Sequence, residues 1–88
     1  MIVYIDKSFS KDLKKIRDSK IKIAVAQTIE SVQNCKCIRD LKNIEKLKGF
    51  RNYYRIKYKD YRYGLEIEDE KVSFVRFLHR KDIYNEFP

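Results

Sequence analysis

The chain has 88 residues, of which 43% are hydrophobic and 39% are charged. This length predicts a single domain over residues 1–88 with one modest core, and it excludes a multi-domain machine. Because 21 Lys and Arg residues outnumber 13 Asp and Glu residues, the formal net charge is +8 at pH 7. Such a charge favours a phosphate polymer, an anionic membrane or an acidic protein as the partner.

The first residues, MIVYIDKSF, contain a short apolar run that ends before Asp6 and no cleavage pattern of small residues. We therefore expect neither a signal peptide nor a membrane span, and we expect a cytoplasmic protein. Cys35 and Cys37 are separated by one residue, and the only histidine is His79. Since a metal site needs three or four convergent ligands, the sequence predicts two reduced thiols and no metal.

The first half of the chain predicts one strand and two helices. Residues 1–5 are apolar and rich in β-branched side chains, which favours a strand. Ser10 is a candidate N-cap for a helix with an apolar stripe, and residues 20–33 place apolar side chains at helical spacing. Residues 34–52 have a weaker pattern and predict a partly ordered connector with one helical turn.

The second half predicts three strands, over residues 52–58, 61–67 and 71–78. Short connections favour antiparallel neighbours, so these strands should form a meander. Together the elements predict an α+β fold: an antiparallel sheet of about four strands, in the chain order β-α-α-β-β-β, with the two N-terminal helices packed on one face.

The stretch YYRIKYKDYRYG, residues 53–64, combines five tyrosines and four basic residues with a single acid. Strand alternation predicts that Arg55 and Lys57 share one face with Arg62 and Gly64 of the returning strand. Cations crowded without matching acids favour an anionic ligand, and Gly64 leaves space close to the backbone. A strand face that simply meets solvent is the plain alternative.

The segment FVRFLHRKDIY, residues 74–84, can extend this surface. Its apolar run ends in His79 and Arg80, and Tyr84 follows shortly after. In a meander, the end of the last strand lies beside the start of the middle strand, near Arg62. The three side chains are therefore expected to join the basic surface, although a lone histidine is more often structural than catalytic.

Residues 47–88, LKGFRNYYRIKYKDYRYGLEIEDEKVSFVRFLHRKDIYNEFP, resemble the C-terminal half of RelE toxins. These are toxins of type II toxin–antitoxin modules in the RelE/ParE superfamily. The LKG turn, the YRIK strand, the DYR turn-and-strand and the HRKDIY ending carry the resemblance, and the strand–helix–helix start agrees in order and length. The resemblance implies a RelE-like fold, with an antiparallel sheet and two helices packed against it.

The resemblance also implies an activity. RelE toxins are ribosome-dependent, metal-independent endoribonucleases that cleave mRNA in the A site, where the ribose 2′-OH attacks the adjacent phosphate. They inhibit translation without a cofactor. The implied partners are mRNA, the ribosome and a cognate RelB-like antitoxin that wraps the toxin, and no membrane is implied.

By motif, the active residues of the family correspond to Arg55, Lys57, Arg62, Arg80 and Tyr84. Lys57 is the candidate base, because neighbouring cations favour its neutral amine. Arg62 and Arg80 would hold phosphate oxygens, as would Arg55, and Tyr84 would stack on a base. His79 is a secondary candidate, which donates the leaving-group proton or orients Arg80.

The basic residues of the predicted helices can contact ribosomal RNA phosphates without reading sequence. The RNA-binding candidates are Lys11, Lys14, Lys15, Arg17, Lys20 and Lys22. A solvated helix face is the alternative for this set. For the whole protein, two other functions stay open: a ParE-like DNA gyrase poison, and a catalytically inactive RNA-binding homologue that would keep its activity when Lys57 is replaced by arginine.

Overall fold

The structure is a computed structural model of all 88 residues, with five strands and three α-helices. The strands are β1 Ile2–Ile5, β2 Ile44–Lys46, β3 Tyr53–Tyr58, β4 Tyr61–Glu68 and β5 Lys71–His79. The helices are α1 Lys7–Lys14, α2 Ser19–Asn34 and α3 Arg80–Glu86, and a 3₁₀ turn spans Ile38–Asp40. None of these helices has the length and apolar composition needed to cross a membrane.

The strands form one mixed sheet in the order β1-β5-β4-β3-β2. The antiparallel meander of β3, β4 and β5 is confirmed, as are the α+β class and the strand–helix–helix start. At the β1 edge the expectation of an antiparallel sheet is wrong, because β1 runs parallel to β5. An apolar run does not encode strand direction, and no tight turn joins these two strands to fix it. The connector contributes a short fifth strand, β2, which pairs with β3.

The start of α1 differs from the prediction. The helix begins at Lys7 rather than after Ser10, because the chain turns directly from β1 into the helix. The Asp6 N–H still donates to the Phe74 carbonyl at 3.0 Å, while the Ser10 N–H donates to the Asp6 carbonyl at 3.1 Å as a helical bond. Helix α2 lies close to its predicted bounds.

The main core lies between the sheet and helices α1 and α2. Ten buried side chains form it: Phe9, Val25, Val32, Ile56, Tyr63, Leu65, Ile67, Val72, Phe74 and Phe77. Tyr63 is fully buried, and its hydroxyl donates to Thr28 Oγ1 at 3.0 Å. Burial raises the pKa of Tyr63 above its ordinary value, although the hydrogen bond with Thr28 partly offsets this. Strand alternation thus puts Ile56 of β3 and Tyr63, Leu65 and Ile67 of β4 in the core, on the face opposite the basic side chains.

The third helix, which was not predicted, packs on the opposite face of the sheet. Its Ile83 and the following Phe87 form a small buried cluster with Leu47. Tyr53 packs against this cluster, whereas its neighbour Tyr54 packs against the main core. The sheet is therefore covered on both faces, and α3 lies on the face that carries the basic side chains of β3.

A buried ion pair joins α1 to β5 beyond the end of β1. Asp12 is only 5% exposed, and its carboxylate accepts from Arg76 Nε at 2.8 Å, Arg76 Nη2 at 3.1 Å and the Phe77 N–H at 2.9 Å. Arg76 Nη2 also donates to Glu86 at 3.3 Å. The Asp12 carboxylate thus satisfies a backbone donor on the open edge of β5, and Arg76 connects α1 with α3.

Candidate functional site

The predicted basic residues meet at the end of the sheet that carries the β3–β4 turn. Lys57 lies directly opposite Arg62, and Arg55 lies opposite Gly64. On the other side of β4, Tyr61 is paired with His79, so the end of β5 lies where the meander predicted it. The backbone therefore brings the three strands' candidate residues together.

Lys57 and Arg62 are the open part of this site. The Lys57 N–H donates to the Asn43 carbonyl and therefore points away from β4. This makes Lys57 and Arg62 a non-hydrogen-bonded pair, for which the Cα atoms are about 4.5 Å apart. Lys57 is exposed, and neither residue takes part in any of the four ion pairs of the structure. Two like charges held this close destabilise the strand pair unless an anion lies between them.

The Arg62 guanidinium is held toward the turn of the hairpin. Its Nη1 donates to the carbonyls of Lys59 at 2.9 Å and Tyr61 at 2.8 Å. Two backbone bonds fix the position of this side chain, and its other nitrogen atoms stay available as donors. A guanidinium anchored in this way is well suited to hold a phosphate oxygen.

Arg55 is covered by α3, in contrast to the open patch that strand alternation suggested. Its side chain is 15% exposed, forms a 3.5 Å ion pair with Glu45, and lies 4.7 Å from the centre of the Tyr84 ring. Its Nε is buried and has no hydrogen-bond partner. The space expected at Gly64 is also filled, because a Cβ atom there would lie 2.8 Å from the ring of Phe87. Strand alternation predicts on which face of the sheet a side chain lies, but it does not predict what packs against that face.

The start of α3 positions two further candidates. His79 is the N-cap residue of α3, and its Nδ1 accepts from the Lys81 N–H at 3.2 Å while its ring meets Tyr61 edge-on. An Nδ1 that accepts a hydrogen bond belongs to the neutral tautomer with its proton on Nε2. The Arg80 N–H donates to the Asp60 carbonyl at 2.7 Å, and its exposed guanidinium lies 3.9 Å from the Asp60 carboxylate. Arg80 therefore stands next to the β3–β4 turn, and His79 supports the helix that carries it.

Tyr84 lies one α3 turn beyond Arg80. It is 70% exposed, and one face of its ring is against the Arg55 guanidinium. The other face is open, as a residue that stacks on a nucleobase requires.

The six basic residues of the α1–α2 region, Lys11 to Lys22 as predicted above, are all exposed, and none takes part in an ion pair. They are spread over α1, the joint and the start of α2.

Cys35 and Cys37 are free thiols, and no group of three or more His, Cys, Asp or Glu side chains is close enough to hold a metal ion. The candidate residues themselves offer an amine, guanidinium groups, an imidazole and a phenol.

Arg76 and Phe50 were not among the residues singled out from the sequence. Arg76 is used in the ion pair with Asp12, and the signal for it was an acid placed on the apolar stripe of α1, three residues after Phe9. Phe50 lies in the turn between β2 and β3, is 46% exposed and packs edge-on against Tyr53. Its exposure has no signal in the sequence, because residue type alone does not determine whether a side chain in a turn is buried.

Comparison with known proteins agrees with this architecture. The family model for the ParE toxin of type II toxin–antitoxin systems, parDE, matches residues 3–84. Toxin RelE3 of Methanocaldococcus jannaschii is 44% identical over 89 residues, which span all of both chains. The toxin–antitoxin complex RelB–RelE from Methanococcus jannaschii contains a chain that is 42% identical, with a TM-score of 0.81 over 97% of this chain and 99% of that chain. The complex RelBE2 from Mycobacterium tuberculosis shares the fold, at 23% identity and a TM-score of 0.65 over 90% of this chain and 96% of that chain.

Together with this fold, the comparisons define a small basic toxin of the type II toxin–antitoxin class. The chain belongs to the RelE/ParE toxin family, as the family model and the full-length relative show, and its similarity is to the RelE type. The resemblance to RelE toxins found in the sequence is confirmed.

Proposed function

We propose that this protein is a ribosome-dependent endoribonuclease that cleaves mRNA in the A site and stops translation in the cytoplasm. The observation that carries the proposal is the direct pairing of Lys57 with Arg62 beside Arg80, with no acid neutralising the two strand residues. These residues occupy the positions that the RelE motif makes active. A fold match alone would support only a toxin of this class.

The proposed reaction uses no metal or cofactor and consumes no water. The Lys57 amine takes the proton of the ribose 2′-OH, and O2′ forms a bond to the adjacent phosphorus while the bond from phosphorus to O5′ breaks. The products are a 2′,3′-cyclic phosphate and a 5′-hydroxyl end, so atoms balance without water or metal. Arg62 and Arg80 stabilise the charge that develops on the phosphate oxygens. Such preorganised electrostatic stabilisation is usually the largest single contribution to lowering the reaction barrier.

The remaining candidates act around this centre. The proton for the leaving O5′ comes from solvent or from a His79 imidazolium, whose protonated Nδ1 would no longer accept the capping bond of α3. Tyr84 stacks on a base, and Arg55 supports the Tyr84 ring from behind. The exposed cations of α1 and α2 would contact ribosomal RNA phosphates, which adds affinity without sequence preference.

A cognate antitoxin of the RelB type is the second proposed partner. The solved relatives from M. jannaschii and M. tuberculosis are toxin–antitoxin complexes, and this chain carries a formal charge of +8. An acidic segment that crosses the Lys57–Arg62 surface would gain electrostatic complementarity and would exclude RNA. Co-purification with the product of a neighbouring open reading frame would test this partner.

A second candidate function is poisoning of DNA gyrase. The family model that matches the chain is that of ParE toxins, and gyrase poisons share this fold. Against it, residues of the chain match all five positions of the RelE motif, a set that gyrase poisons usually lack. A supercoiling assay with purified gyrase distinguishes the two functions directly.

The test of the proposal is a translation reaction with purified protein in which mRNA 5′ ends are mapped by primer extension. Cuts within A-site codons are expected for the wild type and are expected to vanish in Lys57→Ala/Arg80→Ala. Lys57→Arg separates catalysis from binding, because it keeps the charge but removes a usable base. Lys71→Ala, at the other end of the sheet, is the control variant and should cleave as the wild type does. Intact mRNA with a folded wild-type protein would refute the nuclease, and inhibited gyrase would then identify the poison.

A further inference from the structure

A cleft lies on the same face of the sheet as the candidate site, between the β2–β3 turn and α3. Its volume is about 550 Å³, within the roughly 300–1,000 Å³ range of ligand sites. Phe50 and Tyr84 line it together with Arg55, Lys46 and Lys48. Phe50, Lys46 and Lys48 take no part in the reaction proposed above.

Of the three aromatic side chains that line the cleft, Phe50 and Tyr84 are exposed, whereas Phe87 is buried. Phe50 is 46% exposed and Tyr84 is 70% exposed, although large apolar side chains usually bury more of their surface. Both are held in place: Tyr84 stacks on Arg55, and Phe50 packs edge-on against Tyr53 with ring centres 5.9 Å apart. Tyr53 packs in turn against Phe87 at 5.4 Å, so the Phe50 ring is anchored through a row of aromatic contacts. Exposed rings that are already ordered lose little entropy when they bind a flat ligand.

The charges of the cleft favour an anion. Glu45 is the only acidic side chain in its lining, and that carboxylate is engaged by Arg55 at 3.5 Å. Lys46 and Lys48 are exposed and take part in none of the four ion pairs. Two exposed rings and two ammonium groups without an ion pair, all lining one cleft, match a strand of alternating bases and phosphates.

We infer that this cleft is a binding site for single-stranded RNA, in which a nucleotide next to the one on Tyr84 stacks on Phe50 while Lys46 and Lys48 hold phosphates. The inference rests on the proposed function, because it extends the RNA path away from the Lys57–Arg62 pair. It adds Phe50, Lys46 and Lys48 to the residues that determine affinity. Every base has a π face, so this site would strengthen binding without selecting a sequence.

The experiment measures the dissociation constant of a fluorescein-labelled hexaribonucleotide by anisotropy. Full 2′-O-methylation removes the attacking hydroxyl, so wild-type protein cannot cleave the probe. Phe50→Ala should weaken binding by roughly 5- to 150-fold, the equivalent of one lost stacking contact of about 1–3 kcal/mol. Phe50→Trp should retain affinity because it keeps a ring. Phe50→Leu keeps apolar packing against Tyr53 without a stacking face, and it should bind as weakly as Phe50→Ala while melting close to the wild type.

A matched pair of charge variants tests the phosphate contacts. Lys48 and Arg51 both lie in the β2–β3 turn and are exposed, but Arg51 faces a different cavity. Lys48→Ala should lower the slope of log affinity against log salt by about 0.7, as for one single-strand phosphate, whereas Arg51→Ala should leave it unchanged. Equal slopes in the two variants, or unchanged affinity in both Phe50→Ala and Phe50→Leu, would overturn the inference and leave a protein segment as the occupant of the cleft.

The failure of this inference is separable from that of the proposed function. If the wild type cuts mRNA in the translation reaction but Phe50 variants bind the probe normally, the cleft is wrong and the nuclease stands. If the wild type cuts nothing but Phe50 variants lose affinity, the RNA site stands and the nuclease is wrong.

Discussion

Removing the buried Asp12 carboxylate should strongly destabilise the protein. Asp12→Ala leaves the Arg76 guanidinium without its main partner and the Phe77 N–H without an acceptor. Breaking a buried ion pair from one side costs about 3–5 kcal/mol, because the other charge remains. Since the Arg76 side chain is 24% exposed and can gain some water, the lower end, about 3 kcal/mol, is expected here.

A loss of this size is large for a chain of this length. At roughly 0.05–0.15 kcal/mol per residue, the total free energy of unfolding is about 4–13 kcal/mol. For a small domain, each kcal/mol lowers Tm by about 4–8 °C, so Asp12→Ala should melt roughly 12–24 °C below the wild type in thermal denaturation followed by circular dichroism. The Asp12→Ala/Arg76→Met double variant should recover part of the loss, because no unpaired guanidinium remains.

The control for this experiment is Asp6→Ala. Asp6 precedes α1, is exposed and makes no side-chain cap bond, yet the substitution changes net charge by the same amount. It should cost less than about 1 kcal/mol. If Asp12→Ala is no more destabilising than Asp6→Ala, the ion pair does not hold α1 and α3 to the sheet and the reasoning is refuted.

Three further predictions concern the core and the site. Gly64→Ala should lower the free energy of unfolding, measured by urea denaturation, by about 1–3 kcal/mol, because its Cβ would lie 2.8 Å from the Phe87 ring. In a Phe87→Ala background the same substitution should lower it much less. Equal losses in the two backgrounds would exclude this clash. Burial raises the pKa of Tyr63 above its ordinary value, so the stability it contributes is complete below a pH of about 10 and is lost as the pH rises further through the folded-state pKa. Tyr63→Phe should therefore flatten the alkaline limb of a stability–pH profile, and an unchanged limb would contradict the assignment. Arg62→Ala and Arg80→Ala should each lower mRNA cleavage by roughly two to three decades, and single-turnover rates within threefold of the wild type would remove both from the site.

The sequence predicted the elements whose patterns are local. The helix over α2 and the strands of the meander follow from periodicity and short turns, and the pairing of Tyr61 with His79 follows from the meander. The direction of β1 was missed because nothing local encodes it. Helix α3 was missed because only Ile83 and Phe87 mark its apolar side, and two residues at i, i+4 do not distinguish a helix from a turn.

The candidate site was predicted at the level of the backbone but not at the level of exposure. Alternation placed Arg55, Lys57 and Arg62 on one face, as the register requires. It did not predict that Tyr84 covers Arg55 or that Phe87 fills the space over Gly64. Both contacts come from a helix that packs across the sheet, so they depend on tertiary structure rather than on spacing.

The sheet is anchored unequally on its two sides. Ten buried residues hold α1 and α2 against one face, whereas Leu47, Ile83 and Phe87 are the buried residues that hold α3 against the other. Local opening costs least where few apolar contacts are broken, so the amide protons of α3 should exchange with solvent long before those of β4 and β5. Arg80 and Tyr84 belong to α3, so a rare opening of this helix should dismantle the candidate site while the sheet beneath it stays folded.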